Sequence, residues 1–174
     1  MGRFDLPVLR MELFARSIGR PLERAGIEVR RFRFSQQGWN HDGTSAMADL
    51  GRTIDELTTT TRQELVLVGH SMGGRTSMRF VDHPGVAGVV GLAPWLPAGE
   101  PMVDVAGQTI RVAHGANDRT TKPSSSLDFV DRARAAGADA RHVLVPGEGH
   151  ALIRHPSWWN RFIVESVGGI FAAR

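Results

Sequence analysis

The chain has 174 residues, of which 41% are hydrophobic and 22% are charged, as is usual for one soluble globular domain. It contains no cysteine, which excludes disulfides, thiolate metal sites, iron–sulfur clusters and a cysteine nucleophile. The formal net charge is only +3, and the arginines are scattered, with the densest group at Arg30, Arg31 and Arg33 in a strand-like run. We interpret the arginine excess as codon bias and expect no nucleic-acid partner.

The sequence also lacks the features of membrane and secreted proteins. No apolar run approaches the roughly 18 residues that a membrane helix needs. The stretch Met1–Asp5 is charged early and has no apolar core of the kind that secretory signals carry. We therefore expect a cytoplasmic protein without a membrane partner.

The first third of the chain predicts a helix, a strand and a loop. Residues 9–25 carry apolar side chains at three- and four-residue spacing, which predicts an amphipathic helix, and Gly26 follows as a C-cap glycine. Ile27–Phe34 predicts a strand, and a slip in its apolar phase indicates a bulge. Residues 36–43 have the composition of a loop.

The remainder of the chain continues the alternation of strands and helices. Strands alternating with helices predict right-handed βαβ units in a three-layer, doubly wound, mostly parallel sheet. No internal repeat or linker interrupts the pattern, so residues 1–174 are expected to form one domain. The predicted strands are Leu65–Val68, Val86–Val90, Ile110–Ala113 and His142–Val145. The predicted helices cover residues 45–57, a segment that starts near Met72, residues 125–136 and residues 158–171.

A serine motif follows the first of these four apolar strands. Gly69-His70-Ser71-Met72-Gly73 matches the pattern Gly-x-Ser-x-Gly between a predicted strand and a predicted helix, which is the context of a nucleophile elbow. The sharp turn exposes the serine hydroxyl, and the glycines remove side chains that would collide with the neighbouring strand and helix. The alternative is that Ser71 only caps the helix.

A serine nucleophile needs a base, and the base needs a group that orients it. Asp118 lies in the loop after one predicted strand, and His150 lies in the loop after the next. Doubly wound sheets place their sites at such strand ends. The alternatives are a turn-capping aspartate and a structural histidine. Asp42 is the rival acid, but it precedes Ser71 in the chain.

With this order of serine, acid and histidine, the chain resembles the α/β-hydrolases. The resemblance rests on the elbow, on Gly115-Ala116-Asn117-Asp118-Arg119 and on Gly147-Glu148-Gly149-His150, and it covers the chain from the first helix onward. It implies that Ser71 attacks an acyl carbon, that His150 carries the proton to the leaving group and that Asp118 fixes the imidazole tautomer. It also implies that the backbone N–H of Met72 is one donor to the oxyanion. The start of the predicted helix independently leaves unpaired backbone N–H groups near Ser71 that can stabilise an oxyanion.

Four residues near the predicted strand ends and the elbow are candidates for the substrate pocket, although ordinary loop packing is the alternative. They are Trp39, His70, Trp95 and Leu96. We interpret His114 as structural and expect Glu148 to point away from His150. The other histidines have no metal-binding spacing, so we expect no metal and no cofactor.

Two departures from the family pattern bear on function. Only Leu92–Gln108 separates two predicted strands where many α/β-hydrolases insert a lid, so we expect an open site and small or exposed acyl substrates. The family also places a strand before the first helix, and the loop between them supplies the second oxyanion donor. Either the chain is truncated at its N-terminus, or Ile27–Phe34 pairs directly with Leu65–Val68.

These residues predict a serine hydrolase that cleaves carboxylic esters or related acyl bonds of a small molecule through an acyl-enzyme on Ser71. Thioesters, lactones, peptides and acyl transfer are not separated by the sequence. The alternative is a catalytically weak or inactive fragment of the same fold, because half of the oxyanion hole is unaccounted for. The oligomeric state is not predicted.

Overall fold

A computed structural model describes residues 6–61 and 63–174, so the expectation drawn from residues 1–5 lies outside it. The predicted alternation of helices and strands after residue 43 is confirmed. The helices are α1 (Leu6–Arg24), α2 (Thr44–Thr61), α3 (Met72–Met78), α4 (Pro123–Ala135) and α5 (Pro156–Ala172), and the strands are β1 (Leu65–His70), β2 (Val86–Leu92), β3 (Thr109–Gly115) and β4 (Asp139–Val145).

The four strands form one parallel sheet in the order β1-β2-β3-β4. The register aligns the carboxyl ends of the strands, since His70 pairs with Leu92, Leu92 with Ala113, and Gly115 with Val145. The residues that follow the strands therefore meet along one edge of the sheet. This edge is where the sequence places the candidate site residues.

Helices cover both faces of the sheet, which confirms the three-layer architecture. Helices α1 and α5 pack on one face through residues such as Ile18 and Ile163. Helices α2, α3 and α4 pack on the other through residues such as Met78 and Phe129. Full burial of such a side chain stabilises the fold by about 1.5–3 kcal/mol. Within the described ranges, no helix combines the length and apolar character needed to span a bilayer.

The predicted strand Ile27–Phe34 is wrong, and so is its pairing with Leu65–Val68. Ile27, Val29 and Phe34 are half-buried against the two cores, so the apolar pattern does mark inward-facing side chains. However, no backbone hydrogen bond among the described residues joins this segment to β1. A strand requires a ladder of backbone partners, and packing side chains does not supply one. β1 is consequently an edge strand of the described sheet.

The connection between β2 and β3 carries no lid. Residues 93–108 contain neither a helix nor a strand. The prediction of a lidless fold is confirmed for this connection. The residues after β2 instead run along the carboxyl edge of the sheet, beside the turn that follows β1.

Candidate active site

The turn between β1 and α3 holds Ser71 in an unusual backbone conformation. Ser71 has φ 54° and ψ −119°, a combination that is strained for a residue other than glycine. Its N–H donates to the carbonyl of Leu92 at 3.1 Å, and its own carbonyl accepts from the N–H of Trp95 at 3.0 Å. These two bonds hold the strained turn against the residues at the end of β2.

Two glycines allow β1, the turn and α3 to pack closely. A Cβ atom on Gly69 would collide with the backbone of Gly73. A Cβ atom on Gly74 would lie 2.9 Å from the carbonyl oxygen of Gly69 and 2.9 Å from Cβ of Pro94. On Gly73 it would meet only the ring of Phe34, at 3.9 Å. The steric need predicted for the motif glycines therefore holds for Gly69, but the second tight position is Gly74.

The structure brings the three predicted catalytic residues into one hydrogen-bonded line. His150 Nε2 lies 3.0 Å from Ser71 Oγ, and His150 Nδ1 lies 2.7 Å from Asp118 Oδ2. The carboxylate can only accept, so Nδ1 donates to it and Nε2 is left to accept from the serine hydroxyl. The side chain of Asp118 is fully buried, whereas that of His150 is 19% exposed.

The loop that carries His150 reaches across the sheet to Ser71. Ser71 follows β1 and the loop of His150 follows β4, the two outer strands of the described sheet. Three strand spacings lie between them, a distance of about 14 Å. The loop folds back over the end of β3, where the N–H of Asn117 donates to the carbonyl of Glu148 at 2.8 Å. A Cβ atom on Gly115 would lie 2.5 Å from that carbonyl oxygen. Glycine at this position therefore permits the crossing.

His70 ties the elbow to this loop. Its Nε2 donates to the carbonyl of His150 at 2.9 Å, and the centroids of the two rings are 4.7 Å apart. Burial, reinforced by the neighbouring His150, lowers the pKa of His70 to about 3, so the ring stays neutral at physiological pH. The sequence prediction places His70 in a substrate pocket, whereas the structure places it as a buried support of His150.

Backbone and hydroxyl donors surround the carboxylate of Asp118. The N–H groups of Thr120 and Thr121 donate to Oδ1 at 2.8 and 3.0 Å, and the Thr121 hydroxyl donates to Oδ2 at 2.8 Å. Burial alone would raise the pKa of Asp118, but these bonds and the one from His150 together lower it to about 2. The carboxylate is therefore ionised at neutral pH.

Glu148 is a buried carboxylate whose role the sequence did not reveal. It points away from His150, and it accepts from the N–H groups of Gly149, Arg154 and His155 and from Trp159 Nε1, each at 3.0–3.1 Å. Burial alone would raise the pKa of Glu148, but the bond from Trp159 and those from the backbone hold it below its usual value. The carboxylate therefore fixes the shape of the loop that presents the histidine.

Replacing Glu148 by glutamine is expected to lower the free energy of unfolding at pH 7 by about 2–3 kcal/mol. Both carboxylate oxygens of Glu148 accept hydrogen bonds, whereas the NH₂ group of glutamine cannot accept any. The pKa of Glu148 is lowered by folding, so its stabilisation is present above the ordinary pKa and lost in acid. Urea unfolding at neutral and acidic pH measures both effects. The control is Glu165→Gln, at an exposed position on α5. Equal stability of the two variants would contradict this role for Glu148.

Two of the predicted pocket residues lie together beside the serine turn. The rings of Trp39 and Trp95 meet edge to face at 6.1 Å, and Trp95 is 37% exposed. The guanidinium of Arg75 lies 4.0 Å from the Trp39 ring centroid and 4.6 Å from that of Trp95. Leu96 is 3% exposed and belongs to the core under α2, α3 and α4, so the structure does not bring it to this surface.

A buried ion pair holds Arg75 between the two indoles. Its Nη2 lies 2.7 Å from Oε2 of Glu100, and Nη2 of Arg79 lies 2.9 Å from Oε1 of the same carboxylate. Glu100 is almost fully buried. None of these three residues was predicted from the sequence, although Arg75 and Arg79, the C-cap residue of α3, are four residues apart and therefore lie on one face of the helix.

The described part of the chain contains no cluster of side chains that could hold a metal ion. Across residues 6–61 and 63–174, no three histidine or acidic side chains gather as metal ligands would. Two open surface hollows are bordered by residues such as Thr58 and His83 in one case and Arg16 and Val29 in the other. Neither hollow borders Ser71.

The chain is similar to one hydrolase family in sequence and to several solved structures in fold. A model of the dienelactone hydrolase family matches residues 11–158. A protein of the alpha/beta hydrolase superfamily from Xanthomonas campestris pv. campestris is 22% identical, with a TM-score of 0.70 over 97% of this chain and 92% of that chain. No curated protein sequence matches this chain.

Two further solved structures share the architecture. An alpha-beta serine hydrolase homologue from Coxiella burnetii is 17% identical, with a TM-score of 0.68 over 88% of this chain and 76% of that chain. A lidless serine hydrolase from Xanthomonas campestris is 20% identical, with a TM-score of 0.64 over 89% of this chain and 72% of that chain. The predicted fold class is therefore confirmed.

Proposed function

Because the chain belongs to the dienelactone hydrolase family, we propose that it is a serine hydrolase that cleaves carboxylic esters or related acyl bonds through an acyl-enzyme on Ser71. The observation that carries this proposal is the line of hydrogen bonds from Ser71 through His150 to Asp118, with lengths of 3.0 and 2.7 Å. A nucleophile, a base and a buried acid in this order can perform acyl transfer.

The first half of the reaction forms the acyl-enzyme. His150 Nε2 takes the hydroxyl proton of Ser71 as Oγ attacks the acyl carbon. The backbone N–H of Met72, at the first position of α3, has no intrahelical partner and can donate to the oxyanion that develops. The intermediate then collapses, and His150 gives the proton to the departing alcohol or other leaving group.

The second half returns the enzyme to its starting state. A water molecule attacks the acyl carbon while His150 Nε2 takes one of its protons. The bond to Ser71 Oγ breaks, the oxygen regains the proton from His150, and the carboxylic acid departs. Asp118 holds the imidazole through Nδ1 in both halves, and its charge stabilises the imidazolium that forms in each.

The surface beside Ser71 favours small or exposed acyl groups. Trp39 and Trp95 offer an apolar wall next to the serine turn, and the connection between β2 and β3 is too short for a lid. Hydrolysis of a chain-length series of chromogenic esters, thioesters and lactones would determine which acyl bond the site prefers.

A fluorophosphonate probe tests the proposal directly, because it forms a covalent adduct only with an activated serine. We expect the intact mass of the protein to increase by one adduct, and we expect no adduct on Ser71→Ala. The matched control Ser157→Ala, at an exposed position of α5, is expected to label as the wild type does. An unlabelled wild type, or an adduct that persists in Ser71→Ala, would overturn the proposal and favour an inactive member of the fold.

A further inference from the structure

Asp118 contacts a second imidazole besides that of His150. His114, on β3, is fully buried, and its Nε2 lies 3.1 Å from Asp118 Oδ2, the oxygen that also accepts from His150. Its Nδ1 lies 2.8 Å from Ser126 Oγ on α4, and that hydroxyl lies 3.1 Å from Nε2 of His142 on β4. A continuous chain of polar contacts therefore runs from the serine turn to the strand at the opposite edge of the sheet.

The partners of His114 determine which of its nitrogens carries the proton. Asp118 is ionised and can only accept. The Thr121 hydroxyl also lies 3.2 Å from Nε2 of His114, but its hydrogen goes to Oδ2 of Asp118 at 2.8 Å, so Nε2 of His114 donates. In a neutral ring Nδ1 then accepts, and the Ser126 hydroxyl is its donor. The Ser126 hydroxyl also lies 2.9 Å from the carbonyl of Pro123, but its single hydrogen cannot serve both acceptors. If the Ser126 hydroxyl donated to Pro123 instead, Nδ1 of His114 would carry the proton, and Nε2 would present a lone pair to the carboxylate of Asp118.

The surroundings of His114 keep the ring neutral. Burial lowers the pKa of His114, and it lowers that of His142 to about 4. Asp118 and His150 face His114 on one side and His142 faces it on the other, with Asp131 and Arg134 close enough to act on His142. With both rings neutral, Nε2 of His142 can donate to Ser126 Oγ, which leaves the Ser126 hydrogen for His114.

We propose that His114 is a positioning residue that holds the carboxylate of Asp118 for His150, and that Ser126 and His142 fix the tautomer in which it does so. The proposal rests on the proposed function, because it assigns His114 to the acid of that site. The Nε2–H of His114 fixes the direction of Oδ2 toward Nδ1 of His150. This direction determines how strongly Asp118 stabilises the imidazolium of His150.

Substitution of His114 separates this role from simple core packing. In His114→Leu we expect kcat, normalised to the fraction of protein that the fluorophosphonate labels, to fall about tenfold with little change in KM. Loss of one hydrogen bond to a charged group produces an effect of this size. The acid limb of the kcat/KM profile should move to lower pH, because a carboxylate that is no longer held toward Nδ1 of His150 stabilises the imidazolium less, which is also why kcat falls. His114→Gln, which retains a donor near the position of Nε2, should recover most of both properties.

Two results would overturn the proposal. One is a His114→Leu variant with the wild-type kcat and acid limb. The other is an equal loss in the leucine and glutamine variants with an unmoved acid limb, which would indicate packing alone. If His114→Leu does not fold, Ser126→Ala takes its place. The control is Ser124→Ala, at an exposed position of the same helix, which should behave as the wild type.

A readout independent of activity separates this proposal from the proposed function. Imidazole ¹⁵N NMR of the wild type should show His114 as a single Nε2–H tautomer, and Ser126→Ala should mix the tautomers and shift the Nδ1–H resonance of His150. These changes would support the positioning role even if the fluorophosphonate leaves the protein unlabelled. An unchanged His114 tautomer and His150 resonance in Ser126→Ala would overturn it.

Discussion

Alanine at Ser71 or at His150 is expected to lower kcat for ester hydrolysis about 10⁶-fold. Without Oγ no acyl-enzyme forms, and without the imidazole the hydroxyl keeps its proton during attack. In the proposed mechanism the two residues act as one unit, through the 3.0 Å contact between Nε2 and Oγ. The double variant should therefore be no less active than either single variant, and the residual rate would come from binding and the oxyanion donor.

The measurement is the hydrolysis of a chromogenic ester by purified variants that unfold at the same temperature as the wild type. The controls are Ser157→Ala and His83→Ala, since His83 lies before β2 at the far end of the sheet. Both controls should retain full activity. A loss of less than about 100-fold at Ser71 or His150, or losses that multiply in the double variant, would contradict a shared role.

The parts of the site that could be predicted from the sequence are those with local signals. Ser71, Asp118 and His150 each follow an apolar strand, and parallel strands bring their carboxyl ends to one edge. Chain order and strand periodicity were therefore enough to predict that these loops meet. The 3.0 and 2.7 Å contacts depend on the path of the loop that crosses β3, and hydrophobic periodicity does not predict the path of a loop.

The strand predicted at Ile27–Phe34 was wrong because pairing is not a local property. Its inward-facing residues are the apolar ones that the pattern selects, but the backbone has no partner in the described sheet. The position of Leu96 also depends on the tertiary fold and not on a local pattern. It follows β2 as predicted, but the chain turns it into the core under α4 rather than toward Ser71.

Two polar residues whose contacts could not be predicted from the sequence, His114 and Glu148, are buried. His114 is 0% exposed and Glu148 is 1% exposed, and each acts through groups that only folding brings next to it. For Glu148 these groups are the backbone N–H groups of its own loop, and for His114 they are Asp118 and Ser126. A buried polar residue needs such partners, so their identity follows from the fold and not from spacing.

Asparagine at Asp118 is expected to lower kcat about 10⁴-fold, the loss that follows when the catalytic histidine takes the wrong tautomer. The structure determines how the amide would sit. The N–H groups of Thr120 and Thr121 both donate to Oδ1, so the amide oxygen must occupy that position and the NH₂ group replaces Oδ2. His150 Nδ1 would then accept, and Nε2 would present a hydrogen to Ser71 instead of a lone pair.

The same variant tests the charge of Asp118 through stability. Folding lowers the pKa of Asp118 from its ordinary 3.8 to about 2, so the ionised carboxylate stabilises the fold above the ordinary value and loses this effect as the pH falls through about 2. We expect Asp118→Asn to unfold more easily than the wild type by about 2 kcal/mol at pH 7, and we expect the difference to narrow progressively in acid. Urea unfolding across this pH range, together with the hydrolysis rate at pH 7, measures both effects. A variant within tenfold of the wild-type kcat, or a stability difference that does not change with pH, would show that Asp118 is not the ionised partner of His150.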